Sequence, residues 1–141
     1  MIAALAVALG LFTAAADREQ IPVDVLVAIC QWETRGEADK LNAQGGLDEQ
    51  GTCQVRYATA VEMGYVGVPG ALREPRTNIR YAAKWLGHCQ RLGAGSIRQL
   101  AMCYNEGRFT ATSKTRYAGH IANVVQRQRM NQAMSLQVVM R

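Results

Sequence analysis

The stretch "VDVLVAICQWETRG", residues 23–36, frames the reading of the whole chain. Between Val23 and Trp32 only Asp24 and Gln31 are polar, and the run then meets Glu33. Pro22 stands at or just before the first turn, where a missing N–H does no harm. The pattern therefore predicts a buried helix from about Val23 to Thr34, stopping near Gly36. A carboxylate at the end of such a helix meets the negative end of the helix dipole, and apolar neighbours such as Trp32 would desolvate it. Both effects favour the protonated acid, while Arg35 would pull the other way. Where the first two prevail, Glu33 has the character of a general acid. The bland alternative is a glutamate that faces water once the helix has turned.

Working outward, the apolar periodicity stays helical. Helix one is expected over about residues 2–18, and helix three over 57–64, closing on Gly64. Helix four follows Pro75, with Thr77 as candidate N-cap and an apolar stripe of Ile79, Ala82, Ala83, Leu86 and Cys89. Gly93 and Gly95 end it. Ser96 can cap a short fifth helix in which Ile97, Leu100, Ala101 and Tyr104 share a face. A last helix from about Lys114 carries Tyr117, Ile121, Val124 and Val125 inward and a basic outer face toward the C-terminus. Residues 36–54 hold four of the thirteen glycines in nineteen positions, which reads as a loop with a short ribbon. "YVGVPGALREP" (65–75) reads as a connecting loop, and "NEGRFTATS" (105–113) as a second polar loop. With 141 residues, 49% hydrophobic and 19% charged, the chain is long enough for one globular, mainly α domain. Its architecture would be a helical bundle with Gly-rich loops, at 49–54 and 105–110, edging a groove. No internal repeat and no linker is visible.

The opening "MIAALAVALGLFTAAA" admits three readings. A signal peptide would want Lys or Arg before the apolar run, and a membrane anchor would want about 20 apolar residues. The favoured reading is an apolar first helix of the domain (1–18), ahead of a body at 19–125 and a C-terminal basic helix or tail at 126–141.

The net charge of +5 and a pI near 9.3 suit an acidic partner without choosing among nucleic acid, anionic lipid and cell wall. The sixteen Lys and Arg are scattered, with no basic block or aromatic-basic platform, which argues against specific nucleic-acid binding. Cys30, Cys53, Cys89 and Cys103 form no CxxC pair, and His88 and His120 lie far apart, so no metal site is expected. The even count permits two disulfides in three connectivities, or four free buried thiols.

Several short motifs follow one another in order: "AICQWET" with Glu33 and Thr34, "GTCQV" with Gly51 and Gln54, and "YATAVEMGY" after it. "REPRTNIRYAAKWL" from Arg73, "MCYNEG" with Tyr104, Asn105 and Gly107, and "RYAGHI" with Tyr117 complete the set. In this order and spacing the chain resembles the soluble lytic transglycosylases, lysozyme-like enzymes that cleave peptidoglycan, over roughly residues 18–125. The resemblance implies a lysozyme-like fold and peptidoglycan glycan strands as substrate. It implies Glu33 as the sole catalytic acid/base, with no metal and no cofactor called for. Thr34, Gly51, Gln54, Tyr104, Asn105 and Tyr117 would line or order the cleft. Each of these also has a structural reading: core packing for the two tyrosines, a helix ending for Asn105 and Gly107, loop satisfaction for Gln54.

The chain departs from the family pattern. Thr34 stands for the usual Ser, Thr52 and Cys53 for Leu-Met, and Cys103 for Ala, so three cysteines fall near the presumed centre. In an oxidising compartment the expected pairs are Cys30–Cys53 and Cys89–Cys103. Asp48 and Glu49 lie just before Gly51, where animal-type lysozymes carry a second carboxylate. A hydrolytic, two-carboxylate mechanism is therefore an alternative to the transglycosylase route, with a solvated acidic loop as the bland reading. A rival of another class is a non-catalytic wall-binding or structural module. A phage virion component that reaches the host periplasm and wall is the expected setting, partnered by tail or ejection proteins. The alternative is a bacterial periplasmic or inner-membrane-anchored part of a secretion or conjugation apparatus, with membrane contact through residues 1–16.

Overall fold

The computed structural model describes residues 2–34, 41–42, 49–110 and 116–141. The expectations that rest on Arg35, Gly36, Asp48 and Lys114 lie outside these residues. Helix α1 (Ile2–Glu19) turns at Gln20 into α2 (Val23–Thr34). The Leu26 N–H donates to the Pro22 carbonyl at 3.2 Å, which places the proline just before the first turn, where its missing N–H does no harm. Val25, Leu26, Ile29 and Cys30 are essentially buried, and α2 packs against α1, α4, α5 and α6, so it runs through the centre of the molecule.

A small antiparallel ribbon follows. Strands β1 (Leu41–Asn42), β2 (Glu49–Gln50) and β3 (Val55–Arg56) pair in sequence order, with Glu49 opposite Arg56 and Gln50 opposite Val55. Helix α3 (Tyr57–Glu62) is shorter than expected. Its C-cap is Met63, and Gly64 takes the left-handed turn beyond it. The segment read as a plain loop contains a 3-10 turn, Pro69–Arg73, that buries Leu72.

Helix α4 (Pro75–Arg91) starts three residues earlier than a Thr77 cap would allow. Glu74 is the N-cap, its carboxylate accepting from the N–H groups of Arg76 at 3.0 Å and Thr77 at 2.8 Å, and from the Thr77 hydroxyl. Pro75 at N1 fixes that start, since its missing N–H falls among the groups left unbonded there anyway. Its apolar stripe packs against α1, where Phe12, Ala15 and Ala16 are buried. Helix α5 (Ile97–Glu106) opens with a capping box between Ser96 and Gln99 and closes on left-handed Gly107.

Helix α6 (Arg116–Val139) packs on α5 and α2 and buries Tyr117, Ala118, Ile121, Ala122 and Val125, with Val124 half-buried. Arg129 holds Asp24, at the start of α2, through two hydrogen bonds of 2.7 and 3.0 Å. The segment expected as a C-terminal basic helix or tail, 126–141, is helical as part of α6 as far as Val139, and its side chains are exposed. Among the described residues no helix is long and apolar enough to cross a membrane.

Candidate active site

Glu33 is the penultimate residue of α2. It is half-buried and lines a cleft of about 230 Å³ together with Gln54, Tyr104 and Asn105. The β2–β3 connection, residues 51–54, delivers Gln54 to this cleft, while Gly51 shapes the turn and does not itself line the cleft. Gly51 has φ +75° and Gln54 φ +49°, so the turn uses the left-handed region twice. At residue 51 only glycine fits, because a Cβ there would lie 2.6 Å from Asn78 Nδ2. Gln54 closes the turn with two donors to one acceptor: its backbone N–H and its Nε2 both reach the Gly51 carbonyl, at 3.1 and 3.0 Å.

Cys53 ties this turn to three helices at once. A disulfide joins it to Cys30, one turn before Glu33 on α2. Its N–H donates to Asn78 Oδ1 on α4 at 2.8 Å, and its carbonyl accepts the Tyr104 hydroxyl of α5 at 2.6 Å. A second disulfide, Cys89–Cys103, ties α4 to α5 behind the same wall. Asn78 is fully buried and also donates through Nδ2 to the carbonyls of Gln50 and Leu72, at 2.7 and 2.8 Å. Sequence reasoning passed over it. The available signal was a polar residue at a stripe position (78, 82, 86, 89), where a buried polar group must be bonded.

Tyr104 presents part of its ring to the cleft and turns its hydroxyl inward to Cys53. Trp85, a second cleft residue that the motif reading left without a role, donates through Nε1 to the Tyr104 carbonyl at 3.2 Å. Burial first, and then the charges of Glu33 and Glu49, push the Tyr104 ionisation well above its usual range, so its hydroxyl stays a proton donor. Asn105 faces the cleft two residues before the left-handed Gly107, so it both lines the site and belongs to a helix ending.

Tyr117 stands behind Glu33 rather than in the cleft wall. Its ring is buried and meets Trp32 edge-on at 6.5 Å, while Trp32 packs against His120 at 4.1 Å. The Tyr117 hydroxyl is enclosed without a well-formed hydrogen bond. Burial, followed by the charge of Glu33, pushes its ionisation far up, and Glu33 is the acid that acts on it most strongly. Its contact with Glu33 is thus a loose one that lacks full hydrogen-bond geometry.

Thr34 does not reach the cleft. It is buried, and its hydroxyl donates to the Cys30 carbonyl of its own helix at 3.0 Å, as a threonine near a helix end can. Glu49 does line the cleft, on β2, with the Arg56 Nε 3.4 Å from its Oε1 across the ribbon. Glu62 and Glu106 line it further out. A chain of net charge +5 therefore presents a cleft in which four glutamates face one arginine. Among the described residues no group of three His, Cys, Asp or Glu is set to hold a metal ion.

A mainly helical body, with a small ribbon and a glutamate at the end of its central helix opening into a cleft, has the architecture of lysozyme-like glycan-cleaving domains. The chain belongs to the transglycosylase SLT domain family, whose model matches residues 10–125. That family comprises lytic transglycosylases, and the protein is accordingly an enzyme of the lytic transglycosylase type acting on peptidoglycan. No curated protein and no solved structure matches the chain significantly.

Proposed function

We propose that Glu33 is the sole acid/base and that the product carries a 1,6-anhydro-N-acetylmuramic acid end. In this reading the protonated Glu33 gives its proton to the oxygen bridging N-acetylmuramic acid and N-acetylglucosamine as that bond breaks. The resulting carboxylate takes the proton of the muramic acid's own 6-hydroxyl, whose oxygen closes on the anomeric carbon. The proton count returns to its starting point and no water is consumed, so one carboxylate suffices where glycosidases use two. Gln54 and the 51–54 turn would meet the sugar N-acetyl group from one wall. Asn105 and the Tyr104 ring would meet it from the other.

The observation that carries this reading is the shared cleft of Glu33, Gln54, Tyr104 and Asn105. Replacing Glu33 by Gln should cut clearing of purified peptidoglycan by roughly 10²- to 10⁴-fold. The anhydro end should be the product of the wild type and of Glu49→Gln alike. A second reading rests on one observation, that Glu49 lines the same cleft. In a two-carboxylate hydrolase the wild type would release reducing-end muropeptides, and Glu49→Gln would be as damaging as Glu33→Gln.

The polymer lies outside the cytoplasm, and two disulfides suit an oxidising compartment. We place the enzyme in a phage particle that delivers it to the host wall, with a bacterial secretion or conjugation apparatus as the alternative. Co-purification with intact particles supports the first, and recovery from a bacterial envelope fraction the second.

A further inference from the structure

The basic residues that leave the cleft acidic gather at another place. Between α1 and the first half of α4 lies a second concavity of about 380 Å³, larger than the cleft, with Arg18 from α1 and Arg76 and Arg80 from α4 in its wall. Its lining contains no Asp or Glu, and among the described residues none of these three arginines takes part in a salt bridge. Their neighbours Lys84 and Arg91 lie within 3.9 and 3.8 Å of Glu19. Glu74, the acid nearest in sequence to Arg76, gives its oxygens to the cap of α4. Of the three arginines around the hollow, Arg76 feels the charge of Glu74, whose carboxylate is engaged in the cap. No ion pair among the described residues neutralises Arg18 or Arg80, so an anion placed between the three relieves their mutual repulsion.

The floor of the hollow is apolar, and its apolar side continues out along α1. Val7, Leu11, Ala14 and Arg18 follow one another at spacings of four, three and four, which puts them on one helix face. Val7 is 63% exposed, Leu11 half-buried and Ala14 exposed, so this face is turned away from the core that Phe12, Ala15 and Ala16 enter. Val66, beside the rim, is 98% exposed. One strip of surface is thus apolar at one end and triply cationic in a pocket at the other.

We infer that this strip is a docking surface for an anionic phospholipid bilayer, with a headgroup phosphate held by Arg18, Arg76 and Arg80 and the Val7–Leu11–Ala14 face of α1 resting among the acyl chains. A free phosphate or an acidic peptide would use the arginines but leave the apolar face without a purpose, and the combination selects the lipid. The contact lies in the plane of the surface, in the manner of an interfacial helix.

The test is flotation of the full-length protein with vesicles of phosphatidylcholine alone or with a third of phosphatidylglycerol. Each arginine near such a surface contributes several-fold, so the wild type should bind the anionic vesicles at least about tenfold more tightly. The double variant R76E/R80E should fall to the phosphatidylcholine level. Val7→Asp, at an exposed position that costs the fold little, should weaken binding several-fold. R127E/R141E, an equal change of charge on exposed α6 and the C-terminus, should bind like the wild type. All variants should clear soluble peptidoglycan fragments normally, which shows that they are folded. Four outcomes overturn the inference: no preference for anionic vesicles, retention of binding by R76E/R80E, an equal loss in R127E/R141E, or binding of glycerol phosphate or an acidic peptide without binding to vesicles.

Discussion

The Asn78 side chain uses three hydrogen bonds to hold three backbone groups in a place that water does not reach: the carbonyls of Gln50 and Leu72 and the N–H of Cys53. In Asn78→Ala all three groups lose their partner, a loss of about 3 kcal/mol if each is worth the usual net value of a buried bond. The unfolding midpoint should drop by roughly 10 °C, and clearing should fall further than stability alone explains. Gly51→Ala should be damaged from the other side, since its methyl group would press on the same amide. Tyr117 offers the opposite case. Its hydroxyl is enclosed without a well-formed bond, so Tyr117→Phe should leave the midpoint unchanged or slightly raised. If the hydroxyl steadies Glu33 during catalysis, kcat will fall while KM stays, a split that simple packing would not produce. Glu33 drew notice because a carboxylate ends an apolar run, whereas Gln54 was singled out only by the order and spacing of the motifs around it. Asn78 was not, because its partners lie 25 and 28 residues upstream in the case of Cys53 and Gln50, and no local pattern names them.

At the scale of elements, the two disulfides each join walls that a cleft needs held apart at a fixed width. Cys30–Cys53 links residues 23 apart in sequence and ties the helix of Glu33 to the turn of Gln54, and Cys89–Cys103 spans 14 residues between α4 and α5. Each closed loop restricts the unfolded chain by about 3 kcal/mol. Reduction should add two hydrogens of mass per bridge, lower the unfolding midpoint and depress clearing. Cys30→Ser with Cys53→Ser should reproduce the loss of activity more fully than the Cys89 and Cys103 pair, which is one helix further from Glu33. Helices were legible where caps and stripes are local: α2 falls within the bounds its apolar run predicts, and Ser96 caps α5 as its spacing suggests. The start of α4 was misplaced because Thr77 is of a preferred cap type and Glu74 is not. Pro75 between them decides for Glu74, which makes the proline N1 and Thr77 a donor to the cap. The 3-10 turn at Pro69–Arg73 escaped because a five-residue turn leaves too little periodicity to read.

For the whole molecule, α6 closes the bundle by reaching back over 105 residues to Asp24. The hydrogen bonds from Arg129 are the main reason that the Asp24 carboxyl lies below its ordinary 3.8. A carboxyl whose folded pKa is depressed stabilises the fold above its unfolded value, and the contribution disappears as pH falls through the folded one. Both partners are partly exposed, so the pair contributes up to about 1 kcal/mol. Asp24→Asn should therefore unfold a few degrees below the wild type at neutral pH, with the gap closing as the pH is taken well under 3.8. The helical class and the place of the cleft were legible because α2 is both an apolar, central helix and the one that carries the acid. The basic hollow was not, since Arg18 and Arg80 meet only when α1 lies along α4. Cys53 sits where α2, α4 and α5 each take hold of the same short turn. Its amide hydrogen can therefore exchange with solvent only when the core itself opens, at the slow rate of the deepest helical amides rather than the fast rate of a loop. A glycan strand entering this cleft finds the turn that presents Gln54 already set, and none of its binding energy is diverted to ordering that backbone.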